Sequence, residues 1–161
     1  MLNTFAQHLD LSLTEVKKLH ESSLQDLLHT PAFEQKLDNL NIPLLQESLP
    51  TAGDILAKKL PPFYDWLKNE LGVQRVPDSP DHTTKWVVNF LKHQESLKRL
   101  VELHRPVPRP AMEASIPRLV GLFDGVEDAQ VRQEWQKAIA ALCLVLAVAA
   151  REEALSPKVG V

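Results

Sequence analysis

The stretch AIAALCLVLAVAA, Ala138 to Ala150, is apolar on every side of the helix that its alanines and leucines favour. Its thirteen residues are too few to cross a bilayer, because a membrane span takes about twenty. A helix that is apolar all round has to be covered by other parts of a protein, so we expect it at the centre of a helical core. If the monomer leaves it uncovered, a second copy must cover it, and a homodimer is the alternative.

The composition of the whole chain also favours helices. Among 161 residues there are five glycines and one tyrosine, while apolar residues make up 44% and charged residues 24%. These values are ordinary for a folded protein and leave few residues for strands. We therefore predict an all-α, single-domain irregular helical bundle over residues 1–161. It has two long helices, near 79–104 and 127–155, and several short helices bounded by proline.

The first third of the chain carries signals for short helices. A first helix should end near Asp10, and Ser12 followed by Glu15 forms the pattern of a capping box that begins a second helix. Helical spacing of apolar residues extends that second helix to about Leu28, and Thr30-Pro31 begins a third, which ends near Leu40. The stripe predicted to face the core consists of Leu13, Val16, Leu19, Leu24, Leu27 and Leu28.

Proline and glycine divide the second half of the chain. The run RPVPRPAMEASIP, residues 105–117, cannot continue a helix and predicts an internal extended linker. A short helix should follow, from Ser115 to about Asp124, before the last long helix. The final residues, SPKVGV at 156–161, predict a flexible tail.

The sequence contains no pattern typical of catalysis or of cofactor binding. Cys143 lies in an apolar run, which predicts an inert core thiol. Because it is the one cysteine, the chain can form no internal disulfide, and we expect a cytoplasmic location. His82, His93 and His104 are eleven residues apart, about 16 Å along a helix, and so cannot share one metal ion. Phosphate-binding glycine loops are also missing from the sequence. We predict no enzyme activity, no metal and no cofactor.

Two groups of residues outside the first third are candidates for a partner surface. Charge is uneven: residues 82–109 carry six Lys and Arg against two Glu, a local +4, so the remainder of this −3 chain sums to −7. An acidic protein gains no help from its overall charge in approaching nucleic acid. The candidate partner surface combines a basic helix stripe with an aromatic cluster: Lys85, Lys92, Arg99, Phe63, Tyr64 and Trp66.

The stretch FAQHLDLSLTEVKKLH, residues 5–20, resembles a helix-turn-helix motif. The resemblance rests on a small residue in the first helix, apolar residues around the turn and in the second helix, and a serine cap: Ala6, Leu9, Leu11, Val16, Leu19 and Ser12. Asp10 stands at the turn position where glycine is usual. The resemblance implies that early residues of the second helix face the major groove of DNA, namely Thr14, Glu15, Lys17 and Lys18.

Three functions are consistent with these patterns. The leading hypothesis is a non-enzymatic protein-interaction module of a regulatory, adaptor or immunity type, which binds another protein and has no membrane span. The first alternative is a DNA-binding regulator acting through residues 5–20, although the acidic charge disfavours nucleic acid. The second alternative is a bundle that holds an apolar ligand between its helices.

Overall fold

In the computed structural model, the described residues are 2–52, 54–55 and 116–155. Within these ranges the chain forms helices and no strand, which confirms the all-α prediction for this part. The labelled helices are α1 (Leu2–Leu9), α2 (Leu13–Glu21), α3 (Leu24–His29), α4 (Pro31–Asp38), α5 (Ile42–Glu47) and α6 (Ala129–Leu155). Residues 49–52, 54–55 and 116–121 are also helical.

Helix α6 is the central element, because each of α1 to α5 packs against it. Its apolar stretch is buried on all sides: every residue from Ala138 to Val145, together with Ala147 and Val148, lies in the core. This burial confirms the core prediction for these residues. Since one chain covers them, they supply no reason to expect a homodimer.

The N-terminal half of α6 is fixed by polar contacts at its edges. Asp128 Oδ1 accepts hydrogen bonds from the backbone amides of Gln130 and Val131, which caps the helix. Further along, the buried Trp135 ring stacks on Phe123 with 5.6 Å between ring centroids. The Trp135 indole Nε1–H donates to Ser48 Oγ over 2.8 Å, so the one polar atom of this ring is satisfied inside the core.

The predicted helix from Ser12 to about Leu28 is wrong as a single element. Its backbone is extended at Ser22 and Ser23, where α2 ends and α3 begins. Ser22 Oγ donates to Leu19 O over 2.7 Å, and Ser23 Oγ accepts from the amide of Asp26 over 3.0 Å. Because serine hydroxyls can satisfy free backbone groups at helix ends, two adjacent serines stabilise a break that apolar spacing alone does not reveal.

Other boundaries differ by a few residues. Helix α1 ends at Leu9, one residue before the predicted end near Asp10, and α6 begins at Ala129 rather than 127. The short helix predicted from Ser115 to about Asp124 corresponds to the helical segment 116–121, so Ile116 and Pro117 belong to that helix and not to the extended linker. The rest of the 105–117 linker, the 79–104 helix and the 156–161 tail lie outside the described residues. None of the described helices combines the length and apolar character that a bilayer crossing needs.

Candidate interaction surface

The turn between α1 and α2 has the left-handed backbone conformation that the helix-turn-helix resemblance requires of its glycine. Asp10 has φ 53°, and aspartate is among the few residues other than glycine that adopt this region at modest cost. The amide of Leu11 donates to Ala6 O over 3.2 Å, which closes the end of α1 in the pattern of a Schellman motif. Asp10 therefore replaces the usual glycine without changing the form of the turn.

Helix α2 begins with the predicted capping box. Ser12 Oγ accepts from the amide of Glu15 over 3.1 Å, and the Ser12 amide donates to Glu15 Oε1 over 3.3 Å. These reciprocal bonds satisfy backbone groups that a helix start otherwise leaves free. They also hold the Glu15 carboxylate at the start of α2, where it accepts a hydrogen bond from the Ser12 amide.

Residues of α1 and α2 separate into a buried and an exposed set. The apolar residues Phe5, Leu9, Val16 and Leu19 lie in the core, where they hold the two helices together and against α6. The residues that the resemblance assigns to a DNA groove are all exposed on α2: Thr14, Glu15, Lys17 and Lys18. The structure therefore places these four side chains on the solvent-facing side of α2.

The predicted position of Leu13 in the core is wrong. We predicted it to face the core as part of the apolar stripe, but its side chain is 40% exposed. It lies in the first turn of α2, at the edge of the stripe that Val16 and Leu19 define. Its neighbours three to four positions along a helix share its side of the surface. We call the group formed by Leu13, Thr14, Lys17 and Lys18 the α2 outer face.

Positive side chains in the described ranges divide into two kinds. Of seven Lys and Arg there, four are partly buried and donate to other groups in the chain: Lys36, Arg132, Lys137 and Arg151. Lys17, Lys18 and Arg118 are exposed, and form no hydrogen bond or ion pair with any residue of 2–52, 54–55 or 116–155. Two of these three unpaired cations therefore belong to the α2 outer face.

Arg151 of α6 holds the other end of α2 in place. Its Nε donates to His20 O over 2.7 Å, and its Nη2 donates to Glu21 O and Ser22 O over 2.8 and 2.7 Å. These carbonyls lie at the C-terminal end of α2, where backbone acceptors lack helical partners and where positive charge is favoured. With the capping box at its start and Arg151 at its end, α2 is fixed at both ends.

Burial changes the pKa of one histidine and of the single cysteine. Burial lowers the pKa of His8, opposed by the negative charge of Asp124, while complete burial raises the pKa of the Cys143 thiol to about 12. His20 is buried, and His29 is exposed with its Nδ1 3.8 Å from Glu34 Oε1. In the part of the chain that the structure describes, no three His, Cys, Asp or Glu side chains form a group that could hold a metal ion.

Several predicted sites are not tested by this geometry. The predicted partner residues Lys85, Lys92 and Arg99, and the aromatic cluster Phe63, Tyr64 and Trp66, lie outside the described residues. The expected apolar-ligand site between helices also stays a prediction. Arg151 was not among the predicted residues, and an arginine near the end of an apolar helix is the one signal that pointed to it.

Comparison with known proteins adds no relative. No protein-family model, curated protein or solved structure matches the chain.

Proposed function

We propose that the chain is a non-enzymatic protein-interaction module that binds another protein through the α2 outer face. The observation that carries the proposal is the 40% exposure of Leu13, a large apolar side chain on the surface of a helix whose other leucine, Leu19, is buried. Complete burial of a fully exposed leucine side chain contributes about 1.5–3 kcal/mol, so covering the exposed 40% of Leu13 would contribute roughly 1 kcal/mol to a complex.

The rigidity of α2 supports the same proposal. The Ser12–Glu15 capping box fixes its start and Arg151 fixes its end, while Val16 and Leu19 are buried between them. A surface that is already ordered loses less conformational entropy on binding than a flexible one. The backbone that carries the α2 outer face is therefore already ordered before any partner arrives.

Affinity capture from the source cells tests this function. Full-length chain, a Leu13→Asp variant and a Gln133→Asp control would be immobilised at equal density, and bound proteins compared by mass spectrometry. Gln133 is an exposed residue of α6, so its variant adds the same negative charge on a different helix. We expect a protein retained by the wild type and the control but lost with Leu13→Asp. Retention of the same proteins by all three would contradict the proposal.

A second candidate is DNA recognition by the same face, and the left-handed turn at Asp10 is the observation that favours it. The left-handed φ of 53° at Asp10 and the capped second helix support the helix, turn and helix order on which the resemblance rests. Charge opposes this candidate, because the described residues contain fourteen acidic and seven basic side chains, a net of −7. DNA-binding proteins commonly neutralise about six to ten phosphates, far more than two lysines can.

Electrophoretic mobility of random-sequence duplex DNA at low salt tests the second candidate. DNA reading predicts a shift at micromolar protein that is lost in the double variant Lys17→Glu/Lys18→Glu and retained in Arg118→Glu. No shift with the wild type would remove it and leave protein binding as the proposal.

A further inference from the structure

Lys17 and Lys18 are positive side chains without a structural role in the described part of the chain. The partly buried cations there each stabilise a named contact, as Lys36 does by donating to Asp10 O over 3.3 Å. By contrast, Lys17 and Lys18 are exposed and form no hydrogen bond or ion pair with a residue of 2–52, 54–55 or 116–155. Glu21 lies four positions after Lys17, and no ion pair joins the two. The two ammonium groups are therefore available to a partner.

Glu15, the acidic residue nearest to Lys17 and Lys18 in the sequence, has its carboxylate hydrogen-bonded within the chain. Glu15 Oε1 accepts from the Ser12 amide, so its negative charge is held at the start of α2 by the capping box. In a helix, residues three and four positions apart are surface neighbours with Cβ atoms about 5–6 Å apart. Lys17 is thus adjacent to Leu13, and both lysines are adjacent to Thr14. One exposed apolar side chain and two unpaired cations form a single small surface.

We propose that the α2 outer face recognises an acidic protein segment that carries an apolar side chain beside its carboxylates. The inference rests on the proposed protein-binding function and names the chemistry of the partner. The apolar side chain of the partner covers Leu13, and its carboxylates accept charge-assisted hydrogen bonds from the Lys17 and Lys18 ammonium groups. Charge complementarity of this kind supplies specificity and rapid association.

Leu13 favours an acidic protein segment over nucleic acid. A phosphate backbone would pair with the two lysines but would offer an exposed leucine little apolar contact away from the thymine methyl groups. The surrounding surface also matters, because the net −7 of the described residues repels a long polyanion more than a short peptide. A peptide with two or three carboxylates needs to approach only the α2 outer face.

Selection from a random peptide display library on immobilised full-length chain tests the proposal directly. Peptides retained by the wild type would be counter-selected on Lys17→Glu/Lys18→Glu, then sequenced and synthesised. We expect enrichment of Asp and Glu next to Leu, Ile or Phe. Binding should weaken by about tenfold or more in the double lysine variant, and also between 50 mM and 500 mM salt.

A charge exchange gives the sharpest control. Replacing the acidic residues of a selected peptide with lysine should abolish binding to the wild type and restore it on Lys17→Glu/Lys18→Glu. An Arg118→Glu variant should bind the original peptide as the wild type does, because Arg118 lies on the helical segment 116–121, outside the α2 outer face.

The outcomes separate this inference from the function on which it rests. Peptides that need Leu13 but are neutral or basic would overturn the acidic partner while leaving the protein-binding proposal in place. A library from which no peptide depends on Leu13, Lys17 or Lys18 would count against both. Duplex DNA bound through the two lysines, with no acidic peptide selected, would replace the acidic segment by nucleic acid.

Discussion

Helices α6 and α2 use leucine in opposite ways. In α6, Leu144 is completely buried in a stretch that is apolar on all sides, whereas in α2 Leu13 is 40% exposed and adjacent to Lys17, which has no partner among the described residues. A run with no polar side has to be covered, so its burial follows from composition. A residue at the edge of an amphipathic stripe can lie on either side of the boundary, and the structure shows that Leu13 belongs outside. The same residue type is thus buried in one helix and exposed in the other.

The largest expected effect comes from replacing a leucine with alanine in each helix separately and comparing the two variants. Leu144→Ala should lower the free energy of unfolding by about 2–5 kcal/mol, because it removes buried methyl groups and leaves a cavity. Leu13→Ala should change it by less than about 0.5 kcal/mol, as an exposed surface substitution does. Urea unfolding of both variants beside the wild type measures the difference. A loss of more than about 2 kcal/mol in Leu13→Ala would show that Leu13 is part of the core after all.

Arg151 connects the two helices, so its removal tests how strongly α6 holds α2. Arg151→Gln loses charge-assisted bonds to three carbonyls at the end of α2 and should cost about 1.5–3 kcal/mol. Arg118→Gln, at an exposed and unpaired arginine, is the matched control and should be near neutral. Amide hydrogen exchange should accelerate in α2 of Arg151→Gln, and equal effects of the two variants on stability would contradict the role given to Arg151.

The start of α2 should show a smaller effect. Ser12→Ala removes the acceptor for the Glu15 amide and should destabilise the chain by about 1 kcal/mol, within the usual range for a helix cap. Ser12→Thr keeps a hydroxyl and should recover most of that loss. Thermal unfolding followed by circular dichroism compares them, and an Ala variant as stable as the wild type would mean that the cap does not hold α2.

The turn at Asp10 should show the smallest effect, and one of opposite sign. Glycine adopts a φ of 53° without the steric cost that aspartate retains, so Asp10→Gly should be stabilising by a few tenths to about 1 kcal/mol. Asp10→Val, with a branched Cβ, should instead be destabilising by about 1–2 kcal/mol. If Asp10→Gly lowered the melting temperature while Asp10→Val did not, the left-handed turn would be the wrong description.

Local patterns predicted the start of α2 and the burial of α6, but they missed one local break and one set of contacts between residues distant in sequence. The Ser12–Glu15 capping box and the buried stretch of α6 could be read directly, because each depends on neighbouring residues alone. The break between α2 and α3 was missed, since Ser22 and Ser23 end helices only when their hydroxyls bond to the backbone. The Arg151 contacts join residues 129–131 positions apart, which no local pattern encodes.

Site-specific photo-crosslinking tests the claim that the α2 outer face is a protein-binding surface most directly. A photoreactive phenylalanine analogue would be placed at position 13 and, as the control, at position 133, which is exposed on α6. After irradiation in the source cells, we predict a covalent adduct with another protein from position 13 and none of that mass from position 133. Lys17→Glu/Lys18→Glu in the same chain should remove the adduct. The account would be contradicted by identical adducts from both positions, or by none from position 13.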